Sequence, residues 1–553
     1  MFKCKQLLRR ICVVSYVFLL CGGLVNASNL VSKTNTLIGT QGNGWASGYL
    51  YPGATYPFGM VQFTPTYFTK QLGFVINQLS GAGCDHMGNF PTLPIAGALR
   101  VSPDSILNMQ TPVGKEIGTA GYYAATVDHS IRAELTVTER TGMARYTFSS
   151  KEKQGTVIIG GGVAATSIQV AAIKITGPHS CEGYAEGGAF CGIPTPYKVY
   201  FVAEFDADAE SFGTWKEERL HANHTFAEGS HSGVYFTFPL KEGNQAVQYK
   251  IGVSYVSVEN ARENLRVENP AWDFSAVRQA TQDKWNEYLG KIEVEGDNED
   301  RQMQFYTHLY RSLIHPNVCS DVNGEYMGAD SQVHKTARKF YTSFSNWDTY
   351  RTQTALIAML APEETSDIVM SHYLFAEQSG GGFPRWVLAN IETGVMQGDP
   401  TPILVANAYA FGARNYDPRT LLRTMRYGAE VPGANSQGVL TRPGLEQYLE
   451  KGYYDASILL EYTSSDFAIG RFALQACNDE PVCNWYTQRA MNWKNLFNKE
   501  TGWLQSRNED GSWKRYDADW RESTYKNYFW MVPYDLQGLI DSIGGKEAAE
   551  KRL

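Results

Sequence analysis

From about Asn35 to Asn269, apolar and polar residues alternate in short runs broken by Gly, Pro and Asn. Ala133-Glu-Leu-Thr-Val-Thr-Glu-Arg140, Arg145-Tyr-Thr-Phe148, Lys198–Glu204, Val234–Pro239 and Lys250–Val256 are examples. Successive side chains of a strand point to opposite faces, so period-two runs predict strands with one buried face. Their frequent turn signals predict an antiparallel β-sandwich. Beyond about residue 270 the period changes. Trp272–Leu289, Asp300–Ile314, Pro362–Glu377, Pro402–Asn415, Pro418–Tyr427, Ser464–Cys477, Val482–Phe497 and Pro533–Ile543 carry helical spacing. These helices are similar in length and joined by Gly- and Pro-bearing loops, which predicts a helical toroid rather than a bundle. The expected division is a leader over 1–27, a β-sandwich over 28–270, a linker helix over 271–299 and a helical domain over 300–553.

The stretch Phe344-Ser-Asn-Trp-Asp-Thr-Tyr-Arg351 stands at the entrance of a predicted helix. Ala355, Leu356, Met359 and Leu360 recur at a spacing near 3.6 residues, and Pro362 closes the helix. Two readings of Asp348 stand side by side. It is an N-cap favoured by the helix dipole, or it belongs to a sugar subsite. In the second reading Trp347 offers a face to the ring's C–H groups, while Asp348 and Arg351 grip its hydroxyls.

Composition narrows the function classes. Phe, Trp and Tyr make up 13% of the 553 residues, which suits stacking on sugars and suits a core equally well. A net charge of −8 offers no basic patch for nucleic acid and disfavours polyanionic substrates. Lys3, Lys5, Arg9 and Arg10 precede the apolar stretch Ile11–Val25, and Val25-Asn-Ala27 offers a cleavage site before Ser28. This reads as a secretory signal, with a weaker alternative of a lipoprotein anchor at Cys21. No later segment is long and apolar enough to span a membrane, so a periplasmic, secreted or surface location is expected. Six cysteines follow the leader, and Cys181/Cys191 and Cys477/Cys483 are the disulfide pairs to test first. No CxxC or HExxH pattern points to zinc.

Several stretches, in order, resemble glycoside hydrolase family 92, exo-acting α-mannosidases. Tyr51-Pro-Gly-Ala-Thr-Tyr-Pro-Phe-Gly-Met-Val-Gln-Phe-Thr-Pro65, Leu79-Ser-Gly-Ala-Gly-Cys84 and Ala120-Gly-Tyr-Tyr123 carry it in the first domain. Ser345–Arg351, Gly382-Phe-Pro-Arg-Trp386, Glu392-Thr393, Met396-Gln-Gly-Asp399, Glu461-Tyr462, Asp466-Phe467, Glu522 and Tyr528–Asp535 carry it in the second. The resemblance implies a β-sandwich packed on an (α/α)6-type barrel that forms the catalytic domain. It also implies inversion at the anomeric carbon, a calcium ion in the active site and mannose-containing glycans as partners.

An inverting glycosidase needs two carboxyls about 6.5–9.5 Å apart, one protonated as the acid and one ionised to activate water. The resemblance makes Glu522 the acid, and burial among Tyr525, Tyr528 and Trp530 is expected to raise its pKa. The family follows that Glu with Gly-Asn-x-Trp-Gln-Tyr, whereas here Ser523-Thr-Tyr-Lys-Asn-Tyr528 follows. Trp347, Asp348 and Arg351 are expected to hold the terminal mannose, with Arg385, Trp386 and Glu392 in neighbouring binding positions. His86, in a Gly-rich loop of the sandwich, is a candidate to reach over the cleft. No run has an EF-hand pattern, so calcium ligands would come from separated loops. The family's general base lies in a segment expected beyond Leu553. The chain is therefore read as truncated and inactive as it stands, unless a local carboxylate such as Asp466 substitutes. The alternative is a non-catalytic, vestigial mannose-binding protein. Linkage and oligomeric state are not specified by the sequence.

Overall fold

A computed structural model describes residues 29–40, 48–65, 73–104, 113–187, 190–193, 195–242 and 245–553. The expected leader, with Cys4, Cys12 and Cys21, lies outside the described residues. The period-two runs form two antiparallel sheets, as their pattern predicts. One has eight strands, in the order Ala54–Thr55, Gln62–Pro65, Phe74–Val75, Thr92–Ala96, Gln154–Gly160, Ser232–Pro239, Ser211–Lys216 and Arg219–Ala222. The other has nine. It begins Phe226–Glu228, Ile168–Gly177, Ser180–Gly187, Tyr197–Phe205 and ends Ala246–Ser254, Thr141–Thr147, Ile131–Val137, Tyr122–Val127, Val113–Thr119. Ser180–Gly187 buries every second residue, whereas Gln154–Gly160, central in its sheet, is buried almost throughout. Val157, Ile159, Phe201, Phe236 and Tyr249 are among the side chains that fill the space between the sheets.

Backbone proximity explains one glycine of the opening signature. A Cβ on Gly53 would lie 2.1 Å from Thr64 Cβ, so only glycine lets residues 53 and 64 pass. The neighbouring backbone ties the sandwich to the helical part. Trp285 Nε1 donates to the Thr55 carbonyl at 2.7 Å, and Arg311 donates to the carbonyls of Tyr51 at 2.7 Å and Thr36 at 2.6 Å. Arg140 pairs with Glu139 at 2.6 Å and Glu268 at 2.7 Å, while its Nε donates to Ser320 O at 2.7 Å.

The helical domain packs around the long helix Ala456–Cys477, with Thr401–Ala410, Pro418–Glu430 and Glu480–Ala490 against it. Pro362 ends Gln353–Leu360 and also opens Pro362–Glu377, where its missing N–H costs nothing in the first turn. Ala456–Cys477 begins eight residues before the expected Ser464. Its first two turns carry Ser457, Glu461 and Thr463 at buried positions, which hides the apolar period.

One expectation is corrected, that of the disulfide pairs. The second half carries only strands of two or three residues, which form hairpins and one three-stranded sheet. The disulfide joins Cys84 to Cys191, across 107 residues of sequence, and Cys181, Cys477 and Cys483 are free. Cys181 is fixed in a central strand opposite Ala203 and Ile175, buried away from the turn that carries Cys191. Cys483 sits in the following helix, with its sulfur 3.9 Å from the Thr487 hydroxyl rather than bonded to Cys477.

Candidate active site

The three-stranded sheet of Phe344–Ser345, Trp386–Leu388 and Ile391–Glu392 joins the two signature stretches. Phe344 pairs with Val387 and Ser345 with Trp386, and the chain then turns at once into the short helix Asn346–Thr349. Asn346 pins that turn. Its Nδ2 donates to Pro384 O at 3.1 Å and to the Thr401 hydroxyl at 2.9 Å, while its Oδ1 meets His372 Nε2 at 3.0 Å.

Trp347 is 8% exposed, and its indole Nε1 donates to Glu461 Oε1 at 2.8 Å. The Tyr350 hydroxyl donates to Glu461 Oε2 at 3.3 Å. Arg351 brings its guanidinium to 3.8 Å from the same carboxyl and stacks 5.3 Å over the Trp347 ring and 4.9 Å over Tyr350. Asp348 is exposed and accepts from the Ser345 hydroxyl. Ser345 itself occupies the N-cap position, so Asp348 is not the cap of this turn.

Glu461 is the residue the sequence reading left out of the site. It is 0% exposed, in the second turn of Ala456–Cys477, and burial pushes its pKa up to about 7 against the opposing effects of Arg351, Trp347 and Tyr350. The available signal was a lone Glu in an otherwise apolar and small-residue helical face. The pKa carries a stability prediction. A carboxyl raised in the folded state favours folding fully below its unfolded value of about 4.5, and that contribution is lost as pH rises through about 7. Between pH 4.5 and 7.5, stability from this group falls by about 3 kcal/mol. Urea denaturation across that range should show the decline, and Glu461→Gln should flatten it.

Glu522 does not meet the expectation of burial. It is exposed, at φ +52°, just before the short helix Tyr525–Tyr528. The aromatics stack elsewhere: Tyr525 on Trp503 at 4.8 Å and Tyr516 at 4.9 Å, and Trp530 on Phe529 at 5.1 Å. Tyr528 is the link between the two halves of the site. Its hydroxyl donates to Arg521 O at 3.1 Å and accepts from Gln397 Nε2 at 3.2 Å. Its pKa is pushed up to about 12, first by burial and then by Glu461 and Glu522, with Arg351 and Arg521 opposing. One phenol therefore lies within electrostatic reach of the proposed acid and of the cluster around Trp347.

Arg385, Trp386 and Glu392 are brought to the same wall, but their polar atoms are occupied by the protein. Arg385 donates through Nε to Gly398 O at 3.0 Å, through Nη1 to Gly394 O at 3.4 Å and through Nη2 to Leu440 O at 3.1 Å. The Glu392 carboxylate accepts the backbone amides of Arg385 at 2.5 Å, Trp386 at 3.2 Å and Gly394 at 2.8 Å. Trp386 stacks on Phe190 at 4.3 Å, and Phe190 meets His86 at 6.2 Å. His86 is buried, its Nε2 accepts Leu79 N–H at 2.9 Å, and burial lowers its pKa to about 4. It braces the disulfide-tied loop against Trp386 and does not reach over the cleft.

Asp466 is enclosed by cations. It accepts from Arg442 at 2.8 Å, from Arg489 at 2.5 and 2.7 Å and from the Tyr448 hydroxyl at 2.6 Å. Burial works to raise its pKa, but Arg489 and Arg442 overcome that and hold it below the usual carboxylate range. Fully buried, with its oxygens taken by these donors, it is poorly placed to activate a water.

The N-terminal-domain profile of glycosyl hydrolase family 92 matches residues 34–254, and the catalytic-domain profile matches residues 260–553. The chain belongs to glycosyl hydrolase family 92. Its fold agrees with solved family 92 enzymes of Bacteroides thetaiotaomicron. An α-mannosidase in complex with mannoimidazole is 25% identical with a TM-score of 0.86, the alignment covering 95% of this chain and 73% of that one. An inverting mannosidase is 26% identical with a TM-score of 0.85, over the same shares. A curated relative, an uncharacterized secreted glycosidase of Arthroderma benhamiae, is 25% identical over 95% of this chain and 73% of its own length. The family 92 frame thus covers both domains and makes the chain a glycoside hydrolase.

Among the described residues, no group of three or more His, Cys, Asp or Glu side chains is placed to hold a metal ion. On their own these acidic and imidazole side chains do not make a calcium site. Among the same residues, no helix is long and apolar enough to cross a membrane.

Proposed function

We propose that this family 92 chain is an exported, inverting exo-α-mannosidase that removes terminal α-linked mannose from glycans. The observation that carries the reading is the approach of the segment around Glu522 to the Trp347–Arg351 turn: the Tyr528 hydroxyl donates to the carbonyl of Arg521, next to Glu522, and Arg351 Nη1 lies 3.8 Å from Met531 Sδ. An indole face beside an exposed carboxylate and an exposed guanidinium suits one sugar ring, which offers C–H groups on one side and hydroxyls at its edge. Trp347, Asp348 and Arg351 take the terminal mannose, and Glu522 delivers a proton to the leaving oxygen. Arg385, Glu392 and Trp386 shape the wall from behind and do not touch the sugar. The mannoimidazole complex of a relative supports the substrate class, and the secreted relative supports export.

A glycan-binding protein without turnover has one observation in its favour, the exposure of Glu522, which leaves the proton donor in water. Proton NMR during digestion of an aryl α-mannoside separates the two readings. The proposal expects β-mannopyranose as the first product. First-formed α-mannose rejects inversion. Mannose binding without any product supports the second reading.

A further inference from the structure

We propose that Glu461 is a positioning residue of the sugar subsite, whose carboxylate holds Trp347, Tyr350 and Arg351 in one arrangement and whose ionisation controls affinity for a terminal mannosyl group. The inference rests on reading this cleft as a mannose subsite.

Three features of the geometry support it. Both carboxyl oxygens are taken by side chains of a single turn, with Trp347 Nε1 on one at 2.8 Å and the Tyr350 hydroxyl on the other at 3.3 Å. The carboxyl cannot swing away, because Gly398, at φ +77°, would place a Cβ 2.6 Å from Glu461 Cβ, so the loop lies directly on its stem. The third partner, Arg351, is partly exposed at the cleft, so a fully enclosed charge is linked to one that a ligand can meet.

The groups facing Glu461 define the electrostatics from every side. Arg351 and Tyr350 come from the turn that holds Trp347, Arg385 from the strand wall, and Tyr528 from the C-terminal segment, with Glu522 and Arg521 beyond it. Asp348 is on the same turn but exposed, and Asp399, beside Gly398, is paired with Arg442 at 2.8 Å. As a carboxylate, Glu461 attracts Arg351 and accepts two hydrogen bonds. Protonated, it loses the attraction and turns one acceptor into a donor that meets other donors. The guanidinium is then released from the indole, and the ring surface offered to a sugar changes with it. Burial places this ionisation at about 7, inside the range an assay can cover.

The test is calorimetric titration of the full chain with methyl α-mannoside from pH 5.5 to 8.5. Affinity should rise about tenfold between pH 6 and 8 as the carboxyl ionises. Glu461→Gln should give a flat profile at the weak, low-pH value. Should that variant fail to fold, Arg351→Gln and Trp347→Phe carry the test. Each removes a group that favours the ionised form, so each must move the midpoint to higher pH. A Glu461→Gln profile equal to the parent's, or midpoints unmoved in both other variants, overturns the inference while leaving the mannose reading intact. A folded parent that binds no methyl α-mannoside at any pH overturns the mannose reading, and the inference with it.

Discussion

Glu522→Gln, made in a version of the protein that also carries a water-activating carboxylate, abolishes most turnover of unactivated mannobiosides, by roughly 10²–10⁴-fold, while mannose affinity changes little. An amide keeps the shape of the side chain and has no proton to give. Because Glu522 is exposed and carries no packing duty in Tyr525–Tyr528, the substitution leaves the fold undisturbed, and a lost rate is a chemical effect. Substrates with good leaving groups need less protonation and suffer less. Steady-state kinetics on mannobiose and on a nitrophenyl mannoside, side by side, check this. Equal losses on both substrates, or parental rates on mannobiose, place the acid elsewhere.

Asp466→Ala destabilises the protein by about 3–5 kcal/mol, because removing one partner of a buried ion cluster strands the others. Arg442 is fully buried between Asp466 and Asp399, and Arg489 is nearly so, so both cations lose a partner they cannot replace with water. Asp466→Asn keeps the size and some hydrogen bonds but removes the charge, and it should fall between the parent and the alanine variant. Denaturant midpoints measure the order. An unchanged midpoint with lost activity would instead make Asp466 part of the chemistry.

How much of this was legible depended on where each signal resided. The strands around Ile131–Val137 and Tyr197–Phe205 alternate inside and outside, so period two announces them directly. The Trp347–Arg351 turn was legible because aromatic, acidic and basic residues crowd a helix entrance. Strands as short as Phe344–Ser345 have no period to read, which concealed the sheet that pairs Ser345 with Trp386. Glu461 stands among the stretches that carry the resemblance, but its place in the site was hidden, because one carboxyl in an apolar helix reads as an interruption until its partners, more than a hundred residues away, are in place. The Cys84–Cys191 bond was hidden for a similar reason. Six cysteines allow many pairings, and only the tertiary course brings these two loops together. The surroundings of Glu522 could not be read either, because Trp503 and Tyr516 draw Tyr525 away from it.

The most direct test of the central claim is a crystal structure of the Glu522→Gln protein soaked with an α-linked mannobioside. The account predicts the terminal ring against the Trp347 indole, its hydroxyls on Asp348 and Arg351, and the glycosidic oxygen within about 3 Å of the residue 522 amide. A sugar bound away from the Trp347–Arg351 turn, or with its glycosidic oxygen out of reach of residue 522, would contradict it.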